Sequence, residues 1–300
     1  MANLKEVRTR IKSVKNTQQT TRAMKMVSAA KLRRAQDLTE NLRPYARKLK
    51  QLLQNVAETL RETEALDLPY LEQRDDLKTI LYVVITSNRG LAGAFNTAIC
   101  RAAEEDMKER FPDQLANNQI KVMAIGKKGF EYFRRLKFDI VGSENKDAFA
   151  KVEFDHVVQY AEEVMQGFAD GSWDHVMVAF NESKNVATQL RKVEQFLPVE
   201  LDEHIEDDQD AVKPDYIIEP DPIYFGKLLV PQILKTSFFS YVLASNASEH
   251  GARMVSMDNA TENAQELLDD LKLTYNKARQ AAITTEILEI VSGANALSEG

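Results

Sequence analysis

The chain has 300 residues, 44% hydrophobic and 28% charged, and its 39 Lys and Arg against 46 Asp and Glu give a formal net charge of -7, which excludes both a disordered chain and a globally basic nucleic-acid binder. The single cysteine, Cys100, rules out an intrachain disulfide and a cysteine-cluster metal site, and points to a reducing compartment. No stretch reads as the roughly 18 uncharged apolar residues of a membrane-spanning helix, and MANLKEVRTR has no signal-peptide core, so the expectation is a soluble intracellular protein.

Residues 1–50 hold 14 Lys or Arg against three acids, Glu6, Asp37 and Glu40, a local charge of +11. Leu4, Val7, Ile11 and Val14 follow a 3-4-3 spacing that Leu38, Leu42, Tyr45, Leu49, Leu52 and Val56 resume, which is the stripe of a coiled-coil helix. Between the two runs, NTQQTTRAMKMVSAAK at 16–31 puts Thr, Gln, Met and Ala on the seam. Unbroken from residue 3 to 58, such a helix spans roughly 80 Å and is too long to be a core helix throughout.

The middle of the chain alternates strand and helix. KTILYVVITS at 78–87 lacks polar alternation and reads as a strand buried on both faces; a helix from Ala94 to Phe111 follows. Next come a strand at 120–126, a helix through GFEYFRRL, a short strand at FDIVG, a helix from Phe154 to Ala169 and a strand at 173–181. This order predicts a three-layer α/β domain with parallel strands. VATQLRKVEQFLP from 186 alternates and is assigned to a later or edge strand, and the seven acids of 199–210 to a solvated loop.

No proline follows Pro231, and from about Gln232 the chain predicts a second long helix with a small-residue stripe: Ala244, Ala247, Gly251 and Ala252, then Leu268, Leu271, Tyr275, Ala278, Ala282 and Leu288. Residues 230–300 carry nine acids against five bases, opposite in sign to the N-terminal end. The economical architecture is a long antiparallel two-helix coiled coil of the termini, 1–65 with 230–300, carrying an inserted Rossmann-like α/β domain at 75–226 that includes an acidic loop at 199–212.

The loop SNRGLAGAFN at 87–96 lies between a strand and a helix, where a nucleotide-binding α/β protein cradles phosphate, but Gly90 and Gly93 make neither G-x-G-x-x-G nor a P-loop. Tight strand-to-helix packing is the simpler reading. The histidines at 156, 175, 204 and 250 share no ligand spacing, so no metal is expected. The basic helix fits DNA phosphates as one alternative, and neutralisation by the acidic C-terminal segment as the plainer one. EILEIVSGANAL at 286–297 carries more apolar residues than one seam covers and implies a further partner surface.

Five segments, RTRIKSVKNTQQTTRAMKMVSAAKLRRAQ at 8–36, SNRGLAGAFN at 87–96, YIIEPDP at 216–222, SEHGARMVSMDNATENA at 248–264 and YNKARQAAITTEILEIVSGANAL at 275–297, resemble the gamma subunit of the rotary ATP synthase. The resemblance implies a noncatalytic central shaft without a cofactor, turning inside a ring of alpha and beta subunits, with the α/β domain near the membrane ring of proton-carrying c subunits and touching an epsilon subunit. It implies that Met24 faces the moving lobe of a catalytic beta subunit, that Arg253, Gln280, Thr284 and Glu286 are coupling contacts, and that Glu219 lies near the membrane ring. The implied place is peripheral, on the cytoplasmic face of a bacterial plasma membrane or the matrix or stromal side of an organelle membrane. Ile218 stands where a tyrosine is familiar, and the cysteine pair of the light-regulated chloroplast form is missing. The rival classes are a nucleotide-dependent enzyme on the α/β domain and a coiled-coil nucleic-acid binder.

Overall fold

The computed structural model describes residues 4–62, 70–71, 73–74, 77–142, 152–185, 188–199 and 222–298. The chain forms two compact units, one of residues 1–28 with 253–300 and the other of residues 29–252; helices α1 (Leu4–Glu62) and α6 (Pro222–Ser298) contribute to both.

In the larger unit, strands β1 (Ile80–Ile85), β2 (Ile120–Ile125), β3 (Asp139–Ile140), β4 (His175–Ser183) and β5 (Gln189–Leu197) form one sheet in the order β3-β2-β1-β4-β5. The central strand ILYVVI is buried at all six positions. Successive side chains of a strand point to opposite faces. Leu81, Val83 and Ile85 accordingly pack with α5 (Phe154–Ala169), with Leu229, Leu234, Phe238 and Val242 of α6 and with Leu49 of α1. Ile80, Tyr82 and Val84 pack with Ile99, Ala103 and Met107 of α2 (Phe95–Arg110) and Phe133 of α4 (Lys127–Arg135). A short helix, α3 (Pro112–Ala116), leads into β2. The sheet is thus covered on both sides, which is why its middle strand shows no polar alternation.

Three sequence-based expectations are corrected. The sheet is mixed, because β5 runs antiparallel to β4, from Val176↔Leu197 to Ser183↔Gln189, while the other three pairings are parallel. Residues 184–188 are too few for the crossover that a parallel neighbour needs, so the chain can only turn back on itself. The second long helix begins at Pro222 and passes through Pro231 instead of starting near residue 232. Pro222 stands at the first helical position, where a missing N–H costs nothing because no intrahelical acceptor is available there. Finally, α6 does contain an 18-residue window apolar enough to cross a membrane, with a mean hydropathy of 1.2 and 56% of it buried against the rest of the protein. It belongs to a core helix of the larger unit, lying against the sheet.

In the smaller unit, α1 and α6 run antiparallel. Gln18 Nε2 donates to Gln265 Oε1 (2.9 Å), the Thr21 and Thr261 hydroxyls meet at 2.7 Å, and Lys25 pairs with Asp258, so each step up α1 is matched by a step down α6. Val7, Thr21 and Ser28 are the buried seam residues of α1, with Met257, Ala264, Leu268 and Leu271 on α6. The polar stretch at 16–31 is therefore a seam held by side-chain hydrogen bonds where the apolar stripe lapses. Within the larger unit, Leu32 and Ala35 of α1 pack with Ala247 of α6.

Candidate functional site

Continued to Leu4, the register of the helix pair brings the start of α1 opposite about residue 279 of α6. The last turns of α6 thus have no α1 beside them, and every described side chain from 279 to 295 is exposed. Ile283, Ile287 and Ile290 recur at four and three residues and form one stripe, broadened by Leu288 and Val291; they are 44–65% exposed. Apolar surface of this kind marks an interaction site. The two threonines beside it turn inward: Thr284 donates to the Gln280 carbonyl (2.9 Å) and Thr285 to the Ala281 carbonyl (3.0 Å), so their hydroxyl protons are spent on the helix's own backbone.

The sequence-derived residues fall into three groups. Gln280, Thr284 and Glu286 lie together on this exposed end. Met24 is half-buried on α1, next to the well-exposed Met26 and Val27, and Arg253 is buried on α6. Glu219, and the acidic run from residue 200 onward, lie outside the described residues. The three polar pairs of the smaller unit were not singled out from the sequence, although Gln18, Thr21 and Lys25 repeat at three and four residues and their partners at 258, 261 and 265 do the same in reverse.

The loop after β1 commits several of its polar groups to the loop itself and to the start of α4. The Ser87 N–H donates to Asn96 Oδ1 (2.8 Å), the Ser87 hydroxyl donates to the Arg89 carbonyl (2.6 Å), and Asn96 Nδ2 donates to Ser87 Oγ (2.9 Å). Asn88 Oδ1 accepts from the Lys127 N–H (3.0 Å), and the left-handed φ of Leu91 (64°) and Gly93 (58°) folds the loop back on itself. The carboxamide of Asn96 thus occupies the backbone N–H that a phosphate would otherwise seek.

The described histidines are spread over different elements. His175 Nε2 lies 2.9 Å from Gln195 Oε1 and its ring meets Phe111, while His156 packs against Tyr160. Burial holds the His175 imidazole below its ordinary range, against the raising effect of Gln195. Among the described residues no group of three or more His, Cys, Asp or Glu converges as a metal site. Cys100 is buried in the sheet's second core, where burial first and then the Glu104 carboxylate push its thiol up to about 12.

A family model described as ATP synthase matches residues 3–297. The chain is 50% identical to an ATP synthase gamma chain of Cytophaga hutchinsonii, over 99% of this chain and all of the relative, and 48% identical to one of Christiangramia forsetii with the same coverage. Among solved structures it resembles a chain of the Euglena gracilis mitochondrial ATP synthase in an assembly of OSCP, F1 and c-ring (TM-score 0.62, 24% identity, 98% of this chain and 94% of that one). It also resembles a chain of the Tetrahymena thermophila mitochondrial ATP synthase central stalk and c-ring (TM-score 0.55, 24% identity, 80% and 99%). These two likenesses concern the fold.

Proposed function

The chain belongs to the ATP synthase gamma-chain family, and on that premise we propose that it is the central rotor shaft that couples proton flow through a membrane ring to ATP synthesis, and in reverse to ATP hydrolysis. It is a noncatalytic subunit: the chemistry takes place on its partners. Those partners are the alpha and beta subunits of a catalytic hexamer, an epsilon subunit and the ring of c subunits. The chain is held at the membrane through them, on the cytoplasmic face in a bacterium or the matrix or stromal side in an organelle. In this reading residues 1–65 and 230–300 are the shaft and 75–226 its foot, with the loop 199–212 dispensable for assembly. Met24, Arg253, Gln280, Thr284 and Glu286 are the contacts with the hexamer, and Glu219 lies toward the membrane ring.

The observation that carries the reading is the single-helix end of α6. A shaft that turns within a close-fitting collar needs an end narrow enough to enter it, apolar enough to stay there, and poor in groups that lock to fixed partners. The stripe Ile283, Ile287, Ile290 supplies the second property, and the inward-bonded hydroxyls of Thr284 and Thr285 contribute to the third.

The test is a pair of disulfides in the assembled complex. A cysteine at Gln280 joined to a cysteine on the facing beta subunit is expected to stop turnover, with recovery on reduction. A disulfide between Thr21→Cys and Thr261→Cys, which face each other within the helix pair, is expected to leave turnover intact because both helices rotate as one body. Undiminished ATP synthesis with the first crosslink in high yield overturns the reading.

A further inference from the structure

Strand β4 outlasts its neighbour. β1 pairs with β4 only as far as Val84↔Ala179. Asn181, two residues on, has its N–H and C=O on the same side as Ala179 but has no strand there to meet them. Helix α6 takes the place of the missing strand. The Asn181 N–H donates to Ser245 Oγ (3.0 Å), and the Ser248 hydroxyl donates to the Asn181 carbonyl (3.1 Å). The Ser248 proton is thereby committed, so in the 2.9 Å contact between Ser183 and Ser248 it is Ser183 that donates. Ser245 and Ser248 are one turn apart on one face of α6, and both are fully buried, as is Asn181.

Much of the contact between α6 and the sheet is of another kind. Phe238, Val242 and Leu243 pack into the apolar core, and Phe180 lies 4.4 Å from Tyr241 ring to ring. Such contacts resist separation but have no preferred direction, so they fix the register and rotation of the helix less sharply than hydrogen bonds do. Hydrogen bonds weaken steeply as they bend, and therefore resist a change in either. Among the other polar links from α6, Lys235 to Glu162 of α5 at 2.6 Å and Tyr241 to Glu194 of β5 end on carboxylate side chains 53% and 41% exposed, which yield to water and salt. The buried serines meet no such competition.

We propose that Ser245 and Ser248 are the joint through which torque passes between the sheet and helix α6. They are positioning residues: they touch no nucleotide, and they act by keeping the sheet and the helix turning in step. The proposal rests on the rotor reading given above.

The experiment uses the whole complex in proton-tight vesicles and the detached alpha/beta/gamma sector in solution. For Ser245→Ala/Ser248→Ala the detached sector is expected to hydrolyse ATP within twofold of the parent, since only the shaft end has to turn. The ATP-driven proton gradient is expected to be at least threefold smaller, with each single substitution falling between. Thr236→Ala is the control, a buried hydroxyl on the same helix that donates to its own Gln232 carbonyl (2.8 Å) and bridges to no other element among the described residues, and it is expected to keep parental pumping. Parental pumping by the serine double variant, an equal loss in the detached sector, or an equal loss in Thr236→Ala each overturns the joint. The crosslinked Gln280→Cys complex is run in the same vesicles. If it still pumps, the rotor reading has failed; if it stalls while the serine variant pumps normally, only the joint has.

Discussion

Asp174 gives the sharpest test of how the sheet is held to the segment leading into it. One carboxylate oxygen accepts from Arg74 Nη1 (2.9 Å) and the other from the N–H groups of Lys78 (2.9 Å) and Thr79 (3.0 Å); Arg74 also donates to the Phe168 and Trp173 carbonyls and lies over the Phe168 ring at 4.8 Å. The Asp174 side chain is 14% exposed and that of Arg74 21%, so water competes weakly. A hydrogen bond to a charged group contributes roughly 1.5–3 kcal/mol and three meet here, but burying the carboxylate offsets part of their sum, so Asp174→Ala should cost about 2–5 kcal/mol. Asp174→Asn keeps one acceptor oxygen and should cost about half of that, about 1–3 kcal/mol, or about 2–4 °C in melting temperature for each kcal/mol in a domain of this size. Burial raises the carboxyl's pKa, but the bonds from Thr79, Arg74 and Lys78 favour the ionised form and hold it below its ordinary value. A folded-state pKa below the unfolded one means that the stabilisation is complete above the unfolded value of about 3.9 and is lost as the pH falls through the lower, folded one. Urea unfolding of parent and Asp174→Asn, followed from pH 7 to pH 3, should show a constant gap above about pH 5 that narrows below it. A gap below about 0.5 kcal/mol at pH 7, or one that does not change with pH, refutes the reasoning.

Three further predictions follow from the same geometry. In Gly167→Ala the new Cβ would lie 2.0 Å from Trp173 Cζ2 and 2.4 Å from Cη2, while the indole N–H is tied to the Val164 carbonyl at 2.9 Å; the substitution should cost about 2–3 kcal/mol and shift the emission of this single tryptophan, and an unchanged spectrum and stability would contradict the packing. Cys100, buried and with its thiol raised to about 12, should react with a thiol reagent at pH 8 only as fast as the fold opens, so rapid labelling of the native chain would show that the site is open. A double-mutant cycle of Thr21→Val and Thr261→Val should give a coupling of about 0.5–1 kcal/mol, because the Thr21 hydroxyl also bonds to the Gln18 carbonyl and the Thr261 hydroxyl to that of Met257; a coupling near zero would mean that the pair does not hold the seam.

What the sequence made legible was whatever a local period encodes. ILYVVI declared burial on both faces because a strand covered on both sides has no polar side to alternate with, and the alternation of β5 announced a strand, later or at an edge, which the fold places at the edge. Its direction was not written in its own residues; it was set by the shortness of 184–188. Pro231 concealed the true start of α6, since a proline that normally ends a helix here lies inside one. The weakness of the apolar stripe at 16–31 was visible, but its remedy was not, because the partners of Gln18, Thr21 and Lys25 lie more than 230 residues away. The apolar excess at 286–297 pointed to a partner surface, whereas the end of α1's cover near residue 279 emerged only once both helices had a register.

The loop between β1 and α2 bears on a problem of chemical insulation. In the proposed role this chain works among subunits that bind and release ATP, yet it carries a mostly parallel sheet with a turn from a strand into a helix, the architecture that elsewhere holds phosphates. In that role inertness toward the fuel would be an advantage, and the loop's own carboxamide works in that direction: Asn96 accepts from the Ser87 N–H and donates to its hydroxyl oxygen. A tethered group is present at a high effective concentration and never diffuses away, which puts a free phosphate at a disadvantage for that N–H. The rotor would then neither deplete the nucleotide pool around it nor change shape as that pool rises and falls.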